Sequence, residues 1–526
     1  MAARSDARRV ALGAAAMACA LAAATPAGAQ SQAPSRGERL YVKWCAGCHG
    51  EDGRGDGSAA DRMMPRPRDF TQALYQIRTT PSGALPTDAD ILHVIDVGMP
   101  GTAMPGWEKK LSRAERRDLV AHLKSFSRFF ETEPTPEPYR IGRAPGLSEE
   151  GLAEGRRIYE EIECWKCHGD AGRGDGTSAP TLEDDQDLPI RAADLSEPWN
   201  FNGGGTVEAI FTRLRTGLDG TPMPTFSDLL DAGVLTEEQL WRLAQYVRSL
   251  APEKAPRVRE VVRVVRVEGP LPASPDDSAW NAVEGFYFPL VAQIVVRSRW
   301  FAPRVDGVFV QAAHNGEELA LRLTWHDPSE SPDSAWLEWQ EKVLRTNFTE
   351  DDEPPVARPR PDALAVQFPT RMPTGTQRPY FLMGDATNPV YLWHWQSEPD
   401  RAVEATARGM ARIEPQAPPS QTLRHQAVFD RGEWRVQFTR ALATADSANE
   451  IQFAPGAAIP IGFFAWDGDN AEEGTRAAVG AWYYLALEEP TPPTVYVTPA
   501  LAAVLTAGLG LLAVWRAQRR AREERG

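Results

Sequence analysis

The chain reads CAGCH at residues 45–49 and CWKCH at residues 164–168. In each motif two cysteines lie one helical turn apart and a histidine follows directly. This spacing is typical of c-type haem attachment, because the two thiols can bond to the haem vinyl groups while the histidine reaches the iron. The predicted haem-bearing cysteines are Cys45, Cys48, Cys164 and Cys167, and the predicted proximal iron ligands are His49 and His168.

The region around each motif repeats at an offset of 119 residues, the distance between the first cysteines of the two motifs. Adding this offset to Met104 gives Met223, and a proline follows each methionine. Met99 also precedes a proline, but the offset places Leu218 opposite it. We therefore predict Met104 and Met223 as the second axial ligands and Met99 as a packing residue. A His/Met pair leaves no open position on the iron, so the pattern favours electron transfer over catalysis.

Two other uses of a CxxC pair are less consistent with the sequence. A thioredoxin-like redox pair is expected near a βαβ pattern, which is not evident here, and a zinc site would need more cysteines or a distant pair of histidines. The fifth cysteine, Cys19, lies in the N-terminal apolar stretch. All four remaining cysteines therefore belong to the two motifs.

The N-terminus has the three-part layout of a secretory signal: arginines, an apolar stretch, and Ala27-Gly28-Ala29. We predict a signal peptide over residues 1–29. A twin-arginine signal at Arg8-Arg9 and a lipoprotein signal at Cys19 are weaker alternatives, since their surroundings fit loosely.

The C-terminal region predicts a membrane anchor. Residues 495–515 form a mainly apolar stretch of 21 residues, long enough for a helix to cross a bilayer core. Five arginines follow in the tail, residues 516–526, and a basic tail stays on the cytoplasmic side. The bulk of the chain is thus expected on the periplasmic side of the cytoplasmic membrane.

Length and charge narrow the class of protein further. A chain of 526 residues is too long for one hydrophobic core, so several domains are expected. The net charge of −15 argues against nucleic acid as a partner. Residues 36–130 and 147–252 resemble class I cytochrome c domains, with a Gly-rich loop after each haem motif, and the Pro-rich residues 131–146 read as a linker.

Residues 258–490 change to short alternating segments bounded by Pro, Gly and Asp, which predicts an all-β sandwich. The clearest predicted strands are Glu318–Trp325, Asp362–Phe368, Val390–Trp395, Trp434–Arg440, Ile459–Trp466 and Trp482–Leu487.

Several segments of this third domain resemble the haem-binding subunit of ethylbenzene dehydrogenase and its relatives in the DMSO reductase family of molybdenum enzymes. The segments are LTWHDP at 323–328, DALAVQFP at 362–369, PYFLMGD at 379–385, NPVYLW at 388–393 and IPIGFFAWDG at 459–468. The resemblance implies a b-type haem held by a Met and a Lys, and Met383 stands where that Met is expected.

The sequence departs from that family at the second ligand. Arg476 stands near the expected Lys position, and an arginine stays protonated and cannot bind iron. The domain's only lysine, Lys342, lies in a stretch that reads as a loop. The possible replacements are His314, His326, His394 and His425.

The sequence as a whole predicts two all-α cytochrome c domains, an all-β sandwich and one C-terminal transmembrane helix. The expected cofactors are two covalent c-type haems and one b-type haem. The expected role is electron transfer between the quinol or cytochrome pool and a respiratory oxidoreductase. The expected partner is a molybdenum enzyme or, as the alternative, a Rieske/cytochrome b complex. Two rival functions are a dihaem enzyme, such as a thiosulfate dehydrogenase or peroxidase, and a sandwich that is only a binding module.

Overall fold

The structure is a computed structural model that describes residues 33–347, 355–374, 377–489 and 494–525. The predicted signal peptide, residues 1–29, lies outside these residues. The described chain begins with a helical region, continues into a large β-sheet domain and ends in one long helix. This order confirms the predicted fold class.

The first helical domain forms around two crossing helices with well-defined starts. Its helices are α1 (Arg36–Trp44), α2 (Ala46–His49), α3 (Asp88–Val97), α4 (Arg113–Ser125) and α5 (Phe129–Thr132). Ser35 with Glu38 and Ser112 with Glu115 form capping boxes at α1 and α4. The two helices approach most closely at Gly37, where a Cβ atom would collide with the carbonyl oxygen of Asp118.

The second helical domain repeats this arrangement. Its helices are α6 (Glu149–Glu161), α7 (Trp165–His168), α8 (Val207–Thr216), α9 (Ser227–Asp231) and α10 (Glu237–Ser249). Thr236 and Gln239 form the capping box of α10. Gly155 of α6 lies against the carbonyl oxygen of Arg242, the same crossing that Gly37 makes in the first domain.

The β-sheet domain contains fourteen described strands and one described α-helix. The strands are β1 (Val261–Arg266), β2 (Phe286–Pro289), β3 (Val291–Ala292), β4 (Gly307–His314), β5 (Glu318–His326), β6 (Ala363–Pro369), β7 (Val390–Gln396), β8 (Arg401–Ala407), β9 (Ile413–Pro415), β10 (Arg424–Phe429), β11 (Glu433–Ala441), β12 (Ala458–Trp466), β13 (Ala478–Val479) and β14 (Tyr483–Leu487). The helix, α11, spans Leu337–Asn347.

Eleven of these strands form one hydrogen-bonded path in the order β10-β11-β5-β4-β1-β14-β12-β6-β7-β8-β9. Off this path, β2 pairs with β4, β13 pairs with β12, and β3 pairs with β13. Strand β1 is parallel to both β4 and β14, whereas the other pairs along the path are antiparallel. The path folds into two layers because buried residues of β4, β5 and β11 share one core with those of β6, β7 and β12. Trp395 of the second layer packs on Trp325 and Trp434 of the first, with ring centroids 5.8 and 4.9 Å apart.

A second apolar cluster covers the other face of the second layer, and we call it the outer apolar cluster. Alternate residues of β7 divide between the two clusters: Tyr391 and Trp393 enter the central core, while Val390 and Leu392 enter the outer cluster. The fully buried Met383 is also a member. The outer face of a sandwich is usually polar, so this cluster marks the second layer as unusual.

Lys342 lies on helix α11, so the predicted loop at this position is wrong. Helix α11 begins after a capped 3₁₀ turn at Ser334–Trp336.

The C-terminal helix α12 spans Thr494–Glu523. Its stretch Val497–Glu523 is long and apolar enough to cross a membrane by length and composition, and the most apolar part of this stretch is fully exposed. This helix is a candidate for single-pass membrane anchoring.

Candidate haem sites

The first CxxCH motif forms a single helical turn that presents its histidine to the domain interior. Cys45 caps α2, and Gly50 ends it at φ +77°, in the left-handed region that favours glycine. The Nδ1 atom of His49 lies 3.1 Å from the carbonyl oxygen of Arg68. A carbonyl can only accept, so Nδ1 donates, and the Nε2 lone pair remains available for a metal.

The second motif repeats this geometry. Nδ1 of His168 donates to the carbonyl oxygen of Ala193 at 2.9 Å. Burial lowers the pKa of both His49 and His168, which keeps the imidazoles neutral and able to ligate. Both predicted proximal ligands therefore have the protonation and orientation that iron binding requires.

The two predicted distal methionines are held by identical loops. The amide of Met99 donates to the carbonyl of Met104 at 3.0 Å. In the second domain the amide of Leu218 donates to the carbonyl of Met223 at 3.1 Å. In each loop a threonine hydroxyl accepts from the methionine N–H at 3.2 Å. Met104 packs on the same apolar cluster as Cys45, and Met223 on the same cluster as Cys164. The structure thus brings each Met to its own haem motif.

Other groups in these domains also suit a haem. In the first domain Tyr75 Oη and Trp107 Nε1 are buried without a hydrogen-bond partner among the described residues. In the second domain the same holds for Nε atoms of Arg213 and Arg215. Buried donors normally have partners, and haem propionates would supply carboxylate acceptors. The residues present therefore fit a haem in each domain.

The cysteines do not have the character of a redox-active pair. All four described cysteines are free, and burial raises the pKa of Cys45 and of Cys164 to about 12. A thioredoxin-like pair needs a thiol whose pKa is lowered. This disfavours the dithiol alternative.

The two helical domains contact each other through the segments that hold these ligands. Arg68, whose carbonyl accepts from His49, pairs through its side chain with Asp185 at 3.1 Å. The same guanidinium lies against Gly220 in the Met223 loop. The His side of the first site therefore faces the Met side of the second.

Arg78 anchors this interface. Its side chain is fully buried, donates to the carbonyl of Thr216 at 2.7 Å and pairs with Asp219 at 2.7 Å. Asp219 also accepts from Ser82 and from the amide of Gly83, both at 2.8 Å. Sequence reasoning missed these residues, because no local pattern links Arg78 to a partner more than a hundred positions away.

In the β-sheet domain, three of the candidate replacements for the absent lysine ligand are already engaged. His314 bonds through Nε2 to the carbonyl of Glu488 at 2.9 Å, and His425 bonds to Asp400 at 3.0 Å. Burial opposes charging of His326, but its bonds to Asp194 and Glu433 raise its pKa to about 10. His326 is therefore an imidazolium with no lone pair for iron.

The lysine and the arginine are engaged too. Lys342 pairs with Glu183 and Glu338 at 2.5 and 2.8 Å, and α11 packs away from the outer apolar cluster in a separate cluster. Arg476 pairs with Glu473 at 2.6 Å.

His394 differs from the other three histidines. It lies on β7 beside the outer apolar cluster, with its ring centroid 5.7 Å from that of Trp466. No hydrogen bond involves its ring among the described residues, and burial lowers its pKa to about 4. A neutral imidazole on the same sheet face as the cluster of Met383 fits the donor set of a b-type haem.

Comparison with known families assigns each domain. Residues 277–416 match the ethylbenzene dehydrogenase family. Residues 32–123 match subunit III of cbb3-type cytochrome c oxidase, and residues 152–251 match cytochrome c. The chain joins two cytochrome c domains to an ethylbenzene dehydrogenase-like domain. Cytochrome c domains imply covalent haem c.

The relatives agree with this assignment. The chain is 25% identical over 253 residues to a protein named as a respiratory nitrate reductase haem subunit of Haloferax mediterranei, covering 47% of this chain and 81% of that protein. It is 27% identical over 233 residues to the chlorate reductase gamma subunit of Ideonella dechloratans, covering 44% and 86%. A chain of the Kuenenia stuttgartiensis reducing HAO-like complex shows 43% sequence identity, with coverage of 41% and 96% and a TM-score of 0.39.

The second cytochrome c domain docks on the ethylbenzene dehydrogenase-like domain beside its own haem motif. Asp194 directly follows Ala193, whose carbonyl accepts a hydrogen bond from His168. The Asp194 carboxylate is hydrogen-bonded to His326 at 2.6 Å. Arg173, in the Gly-rich loop, pairs with Glu433 at 2.8 Å. The second cytochrome c domain therefore touches both of its neighbours through the segments that hold its His and Met ligands. The first domain also contacts the third directly, since the Arg66 guanidinium donates to the carbonyl of Thr346 at 2.9 Å.

Removing the Arg78 side chain tests the contact between the cytochrome c domains. In Arg78→Ala the carboxylate of Asp219 keeps its hydrogen bonds from Ser82 and Gly83 but loses its cationic partner, and breaking such a buried ion pair costs about 3 kcal/mol. We expect the thermal unfolding midpoint of the helical region, followed by circular dichroism, to fall by about 6–12 °C. The control Arg36→Ala removes an ion pair whose arginine is half exposed, and its midpoint should stay nearly unchanged. Equal shifts in the two variants would contradict the anchoring role.

Proposed function

We propose that this chain is a membrane-anchored, periplasmic electron-transfer subunit with two covalent c-type haems. It moves electrons between the quinol or cytochrome pool and a respiratory oxidoreductase. The observation that carries the proposal is the repeated His/Met ligand set, in which the segment holding His49 contacts the loop holding Met223. When bound, the haem groups supply one-electron transfer, and the chain fixes their order and separation.

The protein residues around each site act by orienting ligands and excluding water. The carbonyls of Arg68 and Ala193 fix the tautomer of the two histidines. The matched loops hold the two methionines as the second ligands, which would leave no open position on either iron. This arrangement suits electron transfer and disfavours a dihaem thiosulfate dehydrogenase or peroxidase, which needs a replaceable ligand.

Carbon monoxide binding separates these two classes. If both irons are six-coordinate, the reduced purified protein should show no change in its Soret spectrum on addition of carbon monoxide. Stoichiometric carbon monoxide binding at one haem would favour the dihaem enzyme instead.

The partner we propose is a molybdenum enzyme of the DMSO reductase family that acts on an oxyanion such as nitrate or chlorate. The support comes from the ethylbenzene dehydrogenase-like domain and from the names of the two relatives. The alternative partner is a Rieske/cytochrome b complex. Purification of the native complex from membranes, followed by molybdenum analysis, tests this choice. Stoichiometric molybdenum supports the first partner, and a Rieske iron–sulfur signal without molybdenum supports the second.

We propose that helix α12 anchors the three domains at the membrane surface. The arginines that follow its apolar stretch, Arg516, Arg519, Arg520, Arg522 and Arg525, favour a cytoplasmic C-terminus. Protease added to intact spheroplasts should then degrade the haem domains and leave a C-terminal tag protected.

We also propose a b-type haem in the ethylbenzene dehydrogenase-like domain, held by Met383 and His394. His394 takes the place of the absent lysine because its ring is neutral and has no hydrogen-bond partner among the described residues, whereas the rings of His314, His326 and His425 are all hydrogen-bonded.

His394→Ala should lose the extractable b-type haem and keep both covalent haems, as measured by pyridine haemochrome spectra after solvent extraction. His425→Ala is the matched control, since it removes a histidine from the same domain that pairs with Asp400. Retention of the b-type haem in His394→Ala would exclude this ligand. Absence of b-type haem from the unmodified protein would leave the sandwich as a binding module.

A further inference from the structure

Three aspartates meet inside the ethylbenzene dehydrogenase-like domain, at one end of its strands. Asp327 follows β5, Asp362 precedes β6 and Asp467 follows β12. Their side chains are almost fully buried, with exposures of 1%, 0% and 2%. One carboxylate oxygen from each lies within 4.8 Å of the other two. All three belong to segments that distinguish this domain in the sequence, yet none is among the proposed haem ligands.

The hydrogen bonds to this cluster leave one carboxylate oxygen without a donor. Asp362 accepts from the amides of Gly468 and Ser331 and from the indole of Trp434, at 2.8–3.0 Å. Asp467 accepts from the amide of Asn470 at 2.9 Å. Asp327 accepts only a long bond from an amide through Oδ1, whereas its buried Oδ2 has no partner among the described residues.

The surrounding charge does not neutralise three carboxylates. Arg304 acts electrostatically on Asp327 and Asp467, and Arg191 acts on Asp467. Two further buried acids, Asp469 and Glu472, lie in the turn that follows β12.

We propose that Asp327, Asp362 and Asp467 bind a calcium ion. Hard divalent cations take oxygen ligands, and calcium binds them at about 2.3–2.6 Å, so oxygens on opposite sides of the ion are about 5 Å apart. One oxygen of each aspartate lies within 4.8 Å of the other two, close enough for all three to share one ion. A buried cage made of protein oxygens favours calcium over magnesium, which usually keeps several of its waters. The free Oδ2 of Asp327 supplies a ligand that needs no hydrogen bond to be broken.

The position of this site gives the ion a structural role. The turn after β12 carries Asn470, whose side chain donates to the carbonyl of Ala302 at 2.9 Å. Arg191 of the second cytochrome c domain donates to that same carbonyl at 2.9 Å. A calcium ion bound to Asp467 therefore braces the surface on which this cytochrome c domain docks.

Metal analysis of the full-length protein tests the proposal. After gel filtration in chelator-treated buffer, we expect about one calcium per chain by inductively coupled plasma mass spectrometry. Asp327→Asn keeps the side-chain shape and the bond to Ser329 but removes the charge, and it should lose at least tenfold of this calcium. Asp469→Asn is the matched control, because Asp469 is a buried acid of the same turn that bonds to the amide of Asp333 instead.

A second measurement needs no variant. The unfolding midpoint of the unmodified protein should rise by about 5 °C in 1 mM calcium chloride relative to EGTA. No bound calcium together with no calcium-dependent shift would overturn the proposal and leave the aspartates as a proton-sharing cluster. Magnesium at one per chain in place of calcium would overturn the choice of ion.

Discussion

Replacing Met223 by histidine should lower the midpoint potential of one haem by roughly 0.2 V, a fraction of the about 0.8 V range that axial ligands set. The thioether of methionine stabilises the reduced iron, so exchanging it for an imidazole favours the oxidised state. Met104→His should produce the same shift at the other haem, because both methionines are held by the same loop geometry. Potentiometric titration of the visible spectrum measures both shifts.

Met99→Leu is the matched control for this prediction. Met99 lies in the same loop as Met104, and only its backbone closes that loop through the bond to the Met104 carbonyl. Its replacement should leave both potentials within about 0.03 V of the unmodified protein, a small part of the range that ligand exchange covers. A large shift in Met99→Leu with none in Met104→His would show that Met99, and not Met104, is the iron ligand.

Replacing both Cys164 and Cys167 by serine should reduce the number of covalent haems by one. Serine hydroxyls do not form thioether bonds with vinyl groups, and the remaining motif at residues 45–49 is on a separate domain with its own apolar cluster. Haem-stained denaturing gels and intact mass measure the loss. The Cys45→Ser/Cys48→Ser variant should lose the other haem, so that the two variants share the same mass but differ in which domain stays coloured after limited proteolysis.

Either double variant that still carried two covalent haems would contradict the assignment. Cys19→Ser is the control, since Cys19 lies outside both motifs and its replacement should change neither haem.

The fold could be predicted from the sequence wherever a local pattern decides it. Each haem motif is local, and the 119-residue repeat can be seen by comparing two segments of the sequence directly. Together they predicted both helical domains. The alternation of apolar residues placed the strand at Val390–Trp395, which the structure extends by one residue to Gln396. Helix α11 was missed, because its short amphipathic run follows several turn-forming residues.

Long-range pairing could not be predicted in the same way. The parallel contact of β1 with β14 joins residues more than two hundred positions apart, and no local signal specifies it. The same is true of Arg78 with Asp219 and of the three buried aspartates. The sequence could indicate which residues carry chemistry but not which of them share a site.

The donor set of the proposed b-type haem shows this most clearly. From the sequence, four histidines were equivalent candidates. Only the tertiary environment distinguishes them, since His326 is charged by neighbouring carboxylates while His394 is neutral and has no hydrogen-bond partner among the described residues.

The most direct test of the account is a haem count on the purified full-length protein. A pyridine haemochrome assay before and after extraction with acidified solvent separates covalent from extractable haem. The account predicts two c-type haems per chain that resist extraction and one b-type haem that is removed. Fewer than two covalent haems per chain would contradict the assignment of both cytochrome c sites and the electron-transfer role built on them.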